Sequence, residues 1–172
     1  MRIKLQPGQI KRAINEADRR QTTNEYKLRN GNRKGPTIGQ KAIKAHRIGC
    51  MGEMAVAAFL GLEDYVFTES DPVPGSSDLP GNIDVKTRSQ RWHDLIAPFS
   101  DSMDKKYVLV IYDGNYVEIC GWIDRKDAAK KIWLKNIPGR GRQYVVPKEA
   151  LNPLSTLKEY ILQLEINDEG AN

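Results

Sequence analysis

Asp84 and Lys86 stand two residues apart in the apolar stretch IDVKT, residues 83–87. Successive side chains of a β-strand point to opposite faces, so this stretch predicts an acid and an amine side by side on one face of a sheet. The Pro-Gly pair at residues 80–81 predicts a turn that folds Asp78 back beside Asp84. Two adjacent carboxylates repel each other unless a proton or a cation lies between them, and magnesium prefers oxygen ligands. The pattern therefore predicts a site for a hard cation beside an amine.

Glu53 is the only charged residue in the apolar stretch CMGEMAVAAFLGL, residues 50–62. This stretch belongs to a helix predicted over residues 40–60, which we expect to pack against the sheet on most sides. An unpaired buried charge is very costly, so Glu53 needs a partner. Either Glu53 joins the acids described above, or it forms a local hydrogen bond or an ion pair with Arg47. Glycines in the same helix would let it approach the sheet closely.

The basic residues are unevenly distributed along the chain. Residues 1–47 contain 13 basic and 3 acidic side chains, whereas the interval from Arg47 to Lys86 contains seven acids and no further base. A basic segment on a mildly acidic body suggests a polyanion partner, most simply nucleic acid; the alternative is a solvated helix face, which is the more common explanation of charge runs in general. The candidate nucleic-acid-binding residues are Arg33, Lys34, Lys41, Lys44, Arg47, Arg88 and Arg91.

The other polar and aromatic residues give weaker signals. Two histidines, His46 and His93, are far apart in sequence and favour surface positions over a ligand pair. The three tryptophans are interpreted as core or sheet-packing residues rather than base-stacking platforms: Trp92, Trp122 and Trp133. The GRGR loop at residues 139–142 is read as a solvated basic loop, with contact to a DNA backbone as the alternative.

The order of helix and strand patterns along the sequence predicts an α/β protein with a sheet flanked by helices on both sides. We expect a basic helical N-terminal arm over residues 1–38 and an α/β domain over 39–172. Helices are predicted over residues 8–29, 40–60, 124–134 and 153–166, and strands over 64–68, 83–88 and 143–146, with a hairpin at 107–123.

Composition restricts the class of protein further. Of the 172 residues, 40% are hydrophobic and 28% are charged, which is ordinary for a soluble globular protein. The longest uncharged apolar run, Met54–Leu62, is too short to span a bilayer, and the N-terminus lacks the apolar core of a signal peptide. Cys50 and Cys120 lack metal-site spacing and are predicted to be small buried side chains. We expect a cytoplasmic location and no membrane partner.

The order GEMAVAAFLG, an Asp, IDVKT, YVLVIY and GWI resembles the PD-(D/E)XK nuclease superfamily, in particular its compact phage and prophage members. The resemblance covers about residues 40–150. It implies a mixed β-sheet in a restriction-endonuclease-like core, and magnesium-dependent hydrolysis of DNA in which manganese substitutes. It implies Glu53 as the helix acid, Asp78 and Asp84 as the two motif acids and Lys86 as the motif lysine.

The resemblance departs from the usual motif at its first acid. Asp78 follows Ser77 rather than a proline, and only a short gap separates it from Asp84. Asp71, in the sequence SDP, is the alternative first acid, and its larger distance from the strand makes Asp78 the preferred one.

The resulting hypothesis is a DNA endonuclease that uses its basic arm as a clamp. A metal on Asp78 and Asp84 would make a bound water nucleophilic, and Lys86 would orient that water or neutralise developing charge. Glu53 would complete the metal's ligand shell through water or hold a second metal. A homodimer would suit cutting of both strands. The alternatives are a non-catalytic DNA-binding protein that keeps the nuclease fold, and an assembly protein that uses its first helix as a protein-binding arm.

Overall fold

The computed structural model describes residues 1–29, 40–67, 76–114 and 116–169. The side chains of residues 24–29, 41 and 165–169 lie outside this description. The described helices are α1 (Pro7–Arg29), α2 (Gln40–Leu60), α3 (Arg125–Ala128) and α4 (Leu154–Glu169). The described strands are β1 (Arg2–Ile3), β2 (Ile83–Arg88), β3 (Leu95–Pro98), β4 (Lys106–Tyr112), β5 (Val117–Asp124), β6 (Leu134–Ile137) and β7 (Gly141–Val146).

The strands form two sheets. The first has the order β1-β5-β4-β2, in which β2 runs parallel to β4 and the other pairs are antiparallel. The second is an antiparallel sheet with the order β3-β7-β6. The prediction of an α/β protein with a mixed sheet and flanking helices is confirmed, and the hairpin predicted at residues 107–123 forms β4 and β5. The expectation of helices on both sides was wrong for the larger helices, because α1, α2 and α4 pack on one face and the second sheet packs on the other.

The first sheet is covered on both faces, because side chains alternate along its central strand β4. Val108 and Val110 pack into a core with α1 and α2, whereas Tyr107, Leu109 and Ile111 pack into a second core with the other sheet. A strand that is buried on both faces has a nearly continuous apolar sequence, as β4 has in KYVLVIY.

Helix α2 has the predicted bounds and lies close against β2. It ends where Gly61 adopts a φ of 76° and the Leu62 N–H donates to the Ala57 carbonyl at 2.8 Å, a glycine-terminated helix end. A Cβ added at Gly52 would overlap Oγ1 of Thr87 on β2 and lie 3.0 Å from the Thr87 Cβ. The glycine therefore permits the close contact that the sequence suggested.

Helix α1 packs on α2 through small side chains. Ala13 and Ala17 are fully buried in the core that contains α2, and the same helix buries Glu16. This helix, predicted from the sequence to be a basic arm, thus contributes to the hydrophobic core. The division of the chain near residue 38 stays a prediction, because residues 30–39 lie outside the described residues.

Several predicted elements were wrong. Residues 64–67 form turns rather than a strand, with Phe67 at a φ of 59°, and the buried Val66 supplied the strand-like apolar signal. The helix predicted over 124–134 ends at Ala128 and is followed by a short 3-10 turn and β6. Asp124 occupies the N-cap position of α3, but its side chain makes no capping hydrogen bond and pairs with Lys106 at 3.1 Å. Strands β1, β3 and β6 were not predicted. None of the described helices has the length and apolar content needed to cross a membrane.

Candidate functional site

A tight turn brings Asp78 against the start of β2. Leu79 and Ile83 pair through hydrogen bonds of 3.0 and 3.4 Å between their backbones, and the turn between them has left-handed φ angles at Gly81 and Asn82. As a result, Asp78 Oδ2 accepts a hydrogen bond of 2.7 Å from the Val85 N–H. The Pro-Gly turn therefore brings Asp78 next to the strand that carries Asp84, as predicted.

Asp84 is buried and accepts hydrogen bonds from two lysines. Lys86 Nζ lies 3.0 Å from Asp84 Oδ2, which confirms that the two side chains share a face of β2. Lys105 Nζ lies 3.0 Å from Oδ1 and 3.1 Å from Oδ2 of the same carboxylate. Sequence reasoning missed Lys105, which is itself buried at the entrance to β4. Only the parallel register, which sets Ile83 opposite Lys106, brings it to Asp84.

Glu53 is buried and paired with an arginine from α1. Arg20 donates from Nη1 to Glu53 Oε1 at 2.8 Å and from Nη2 to Oε2 at 2.7 Å. Arg20 also donates from Nε to Glu16 at 2.7 Å, so it joins two buried acids. Burial by itself lowers the pKa of Arg20, but the hydrogen bonds and charge of Glu53 outweigh it and raise that pKa above its usual range. The guanidinium therefore stays charged and neutralises Glu53.

Arg47, the partner proposed for Glu53 from sequence, forms a different ion pair. It contacts the exposed acid Asp18 of α1 at 3.1 Å. The expectation that Glu53 needs a partner is confirmed, whereas Arg47 as that partner was wrong.

The negative charges of Glu53 and Asp84 affect the pKa of Asp78. The pKa of Asp78 is raised to about 7: burial is the largest cause, and the negative charges of Glu53 and Asp84 act in the same direction, against the Val85 hydrogen bond and the charge of Lys86. A carboxyl poised near neutrality beside two others is the arrangement expected of a functional cluster. An acid of a helix and an acid of a strand thus both act on the acid of the turn, Asp78.

The donor chemistry of this cluster fits a hard divalent cation in part. Its oxygen atoms are the ligands that magnesium prefers, and a cation would relieve the repulsion that raises the pKa of Asp78. Yet Lys105 already contacts both oxygens of Asp84, and Arg20 both oxygens of Glu53. Across the described ranges, His, Cys, Asp and Glu side chains form no group of three or more arranged to hold a metal.

The candidate DNA-contacting residues have different environments. Arg88 ends β2 and shares the strand face of Asp84 and Lys86. Arg91 is exposed and pairs with Asp113 at 2.9 Å, and Lys44 is exposed on α2. Arg33, Lys34, Asp71 and the side chain of Lys41 lie outside the described residues.

The tryptophans divide between core and surface. Trp122 is buried, as predicted, and donates to the Pro153 carbonyl at 3.0 Å. Trp92 was predicted to pack in the core and is instead 76% exposed, in the connection between β2 and β3. Its ring meets the His93 ring edge-on at a centroid distance of 6.0 Å. The interpretation of Trp92 as a packing residue was therefore wrong.

No family model, curated protein or solved structure matches this chain. The resemblance to the nuclease superfamily accordingly stays a prediction from motif order, and a functional assignment has to be argued from the contacts of the chain's own residues.

Proposed function

We propose that this protein is a magnesium-dependent DNA nuclease that hydrolyses phosphodiester bonds, most simply as an endonuclease. The observation that carries the proposal is the raised pKa of Asp78, which results from burial and from the charges of Glu53 and Asp84. Carboxylates that repel one another in a folded protein cost stability, and a catalytic site explains why they are kept. The basic excess of residues 1–47 supports a DNA substrate.

The side chains have distinct roles in this proposal. Asp78 and Asp84 would hold the metal, with Glu53 contributing through water while Arg20 fixes its orientation. A bound magnesium or manganese would supply an activated water and stabilise charge on the phosphate. Lys86, at 3.0 Å from Asp84, would orient the attacking water or neutralise the transition state. Lys105 would hold the Asp84 carboxylate in position from its buried side.

A second candidate is a non-catalytic DNA-binding protein that keeps this fold. The ion pairs favour it, because Arg20 and Lys105 supply positive charge where a metal would otherwise act. A binding protein gains nothing from acids that face phosphates, however, and Asp78 lacks such a strong cationic partner among the described residues. We therefore rank the nuclease first.

Nicking of supercoiled plasmid tests the proposal. The wild-type protein should nick with magnesium or manganese and should be inactive with a chelator. Asp84→Asn should abolish cleavage while DNA binding stays equal or becomes tighter, since a negative charge facing phosphate is removed. Lys86→Ala should reduce the rate by about 100-fold or more. Lys135→Ala, an exposed lysine of β6, is the control and should keep wild-type activity.

Two outcomes would count against the nuclease. Cleavage that survives both Asp84→Asn and Lys86→Ala would disprove the site. Salt-sensitive DNA binding without cleavage by the wild-type protein would favour the non-catalytic candidate.

A further inference from the structure

A second group of basic side chains lies beyond the acidic cluster, at the far end of β2. Arg88 shares the strand face of Asp84, and four residues of parallel strand place it about 13 Å along the chain from that acid. The charge of Arg140, in the turn between β6 and β7, acts on Arg88, and the charge of Lys148, which follows β7, acts on His93. We define the Arg88 cluster as Arg88, His93, Arg140 and Lys148.

Buried nitrogen atoms in this cluster lack partners. Arg88 Nε and His93 Nδ1 are both buried, and neither has a hydrogen-bond partner among the described residues. A buried polar group without a partner costs free energy, so each such atom in a native protein needs an explanation. The two nitrogens, whose residues are five apart in sequence, are both accounted for if one bound ligand supplies their missing hydrogen bonds.

The charges of the cluster identify the ligand as an anion. Burial lowers the pKa of Arg88, and the neighbouring charge of Arg140 lowers it further. Burial likewise lowers the pKa of His93, followed by the charges of Arg88 and Lys148. The charge of the neighbouring Asp94 opposes both shifts. Three permanent cations around one acid leave an excess of positive charge, which a phosphate would neutralise.

Trp92 adds a stacking surface at the edge of the cluster. Its side chain is 76% exposed, and the edge-on contact at 6.0 Å links its ring to His93. Aromatic rings beside cations are the means by which proteins bind unpaired bases of a nucleic-acid strand. In a continuous duplex the bases are stacked on each other and do not offer their faces.

We propose that the Arg88 cluster binds a backbone phosphate near the scissile one while Trp92 stacks on an unpaired base, so that the preferred substrate carries unpaired nucleotides beside the cut. The part of this proposal that concerns the position of the cut rests on the proposed nuclease function. The binding of DNA by these residues does not depend on catalysis. The acidic cluster and the Arg88 cluster share one strand, which gives a fixed spacing between cleavage and recognition.

Fluorescence anisotropy in the presence of a chelator tests the proposal without cleavage. Labelled single-stranded, forked and fully duplex DNA of matched sequence are titrated with the full-length protein. Trp92→Ala should weaken binding of the single strand and the fork by about 5- to 150-fold and leave duplex binding unchanged. Ile132→Ala is the matched control, since Ile132 is also an exposed apolar residue, at 81%. This control should bind all three as the wild type does.

Arg140→Ala separates the phosphate contact from the stacking contact. It should weaken binding of all three DNAs and reduce the salt dependence of binding by about one unit of slope. Equal binding of single strand by Trp92→Ala and wild type would overturn the proposal, as would an equal loss for duplex DNA. Plasmid nicking that persists alongside such a result would show that the nuclease proposal stands and this one fails. The predicted binding pattern without any cleavage would show that the DNA-binding proposal stands and the nuclease proposal fails.

Discussion

Replacing Asp78 with asparagine should stabilise the protein at neutral and alkaline pH. Asparagine keeps an oxygen that can accept the hydrogen bond of the Val85 N–H, but it removes the charge that Glu53 and Asp84 repel. The pKa of Asp78 rises from its ordinary 3.8 to about 7 in the folded protein. Between these values the folded chain holds a proton that the unfolded chain has lost. The free energy of unfolding of the wild type therefore falls as the pH rises from about 4 to about 7.

The size of the effect follows from the pKa shift. A shift of about three units corresponds to at most about 4 kcal/mol. Asp78 is half-buried, so solvent screens part of the repulsion, and we expect about 1–3 kcal/mol above neutral pH. The stability advantage of Asp78→Asn should be near zero at about pH 4, grow up to about pH 7 and then level off.

Urea unfolding from about pH 4 to pH 8 measures this difference. Asp64→Asn, an exposed acid in the turn after α2, is the control and should show no such growth. Magnesium should stabilise the wild type at about pH 8 and have little effect on Asp78→Asn, because a ligand stabilises only the folded state that binds it. A variant whose stability parallels that of the wild type at every pH would refute the claim that Asp78 is repelled by the other acids.

Two further predictions concern the packing that supports the site. Gly52→Ala should destabilise the protein by about 1–3 kcal/mol in urea unfolding because its Cβ would overlap Thr87, whereas Gly49→Ala, whose Cβ would make only an ordinary contact, should not. Arg20→Met should lower the free energy of unfolding by about 3–5 kcal/mol because it leaves a buried carboxylate unpaired. Arg47→Met, which removes an exposed ion pair, should lower it by less than about 1 kcal/mol. Equal losses within either pair of variants would contradict these reasons.

The parts of the site that sequence could predict depend on local rules. The alternation of strand side chains sufficed to set Lys86 beside Asp84, and turn chemistry sufficed to return Asp78 to the strand. The bounds of α2 followed from its apolar run and from Gly61. Each of these inferences needed only residues that are close in sequence.

The partners of the acids could not be predicted because they depend on packing between distant elements. Arg20 reaches Glu53 across 33 residues, and many basic side chains of the N-terminal segment were equally suitable by type. Lys105 reaches Asp84 only through the parallel register of β2 and β4. The exposure of Trp92 was also inaccessible, since a tryptophan in a short connection carries no periodicity that assigns it to core or surface.

The most direct test of the central claim is a crystal structure of the protein grown with manganese, with anomalous scattering used to locate the ion. Our account predicts a manganese peak within about 2.0–2.6 Å of carboxylate oxygens of both Asp78 and Asp84, with the Lys105 ammonium displaced from at least one Asp84 oxygen. A crystal without any peak between Asp78 and Asp84, in which Lys105 keeps both contacts to Asp84, would contradict the account.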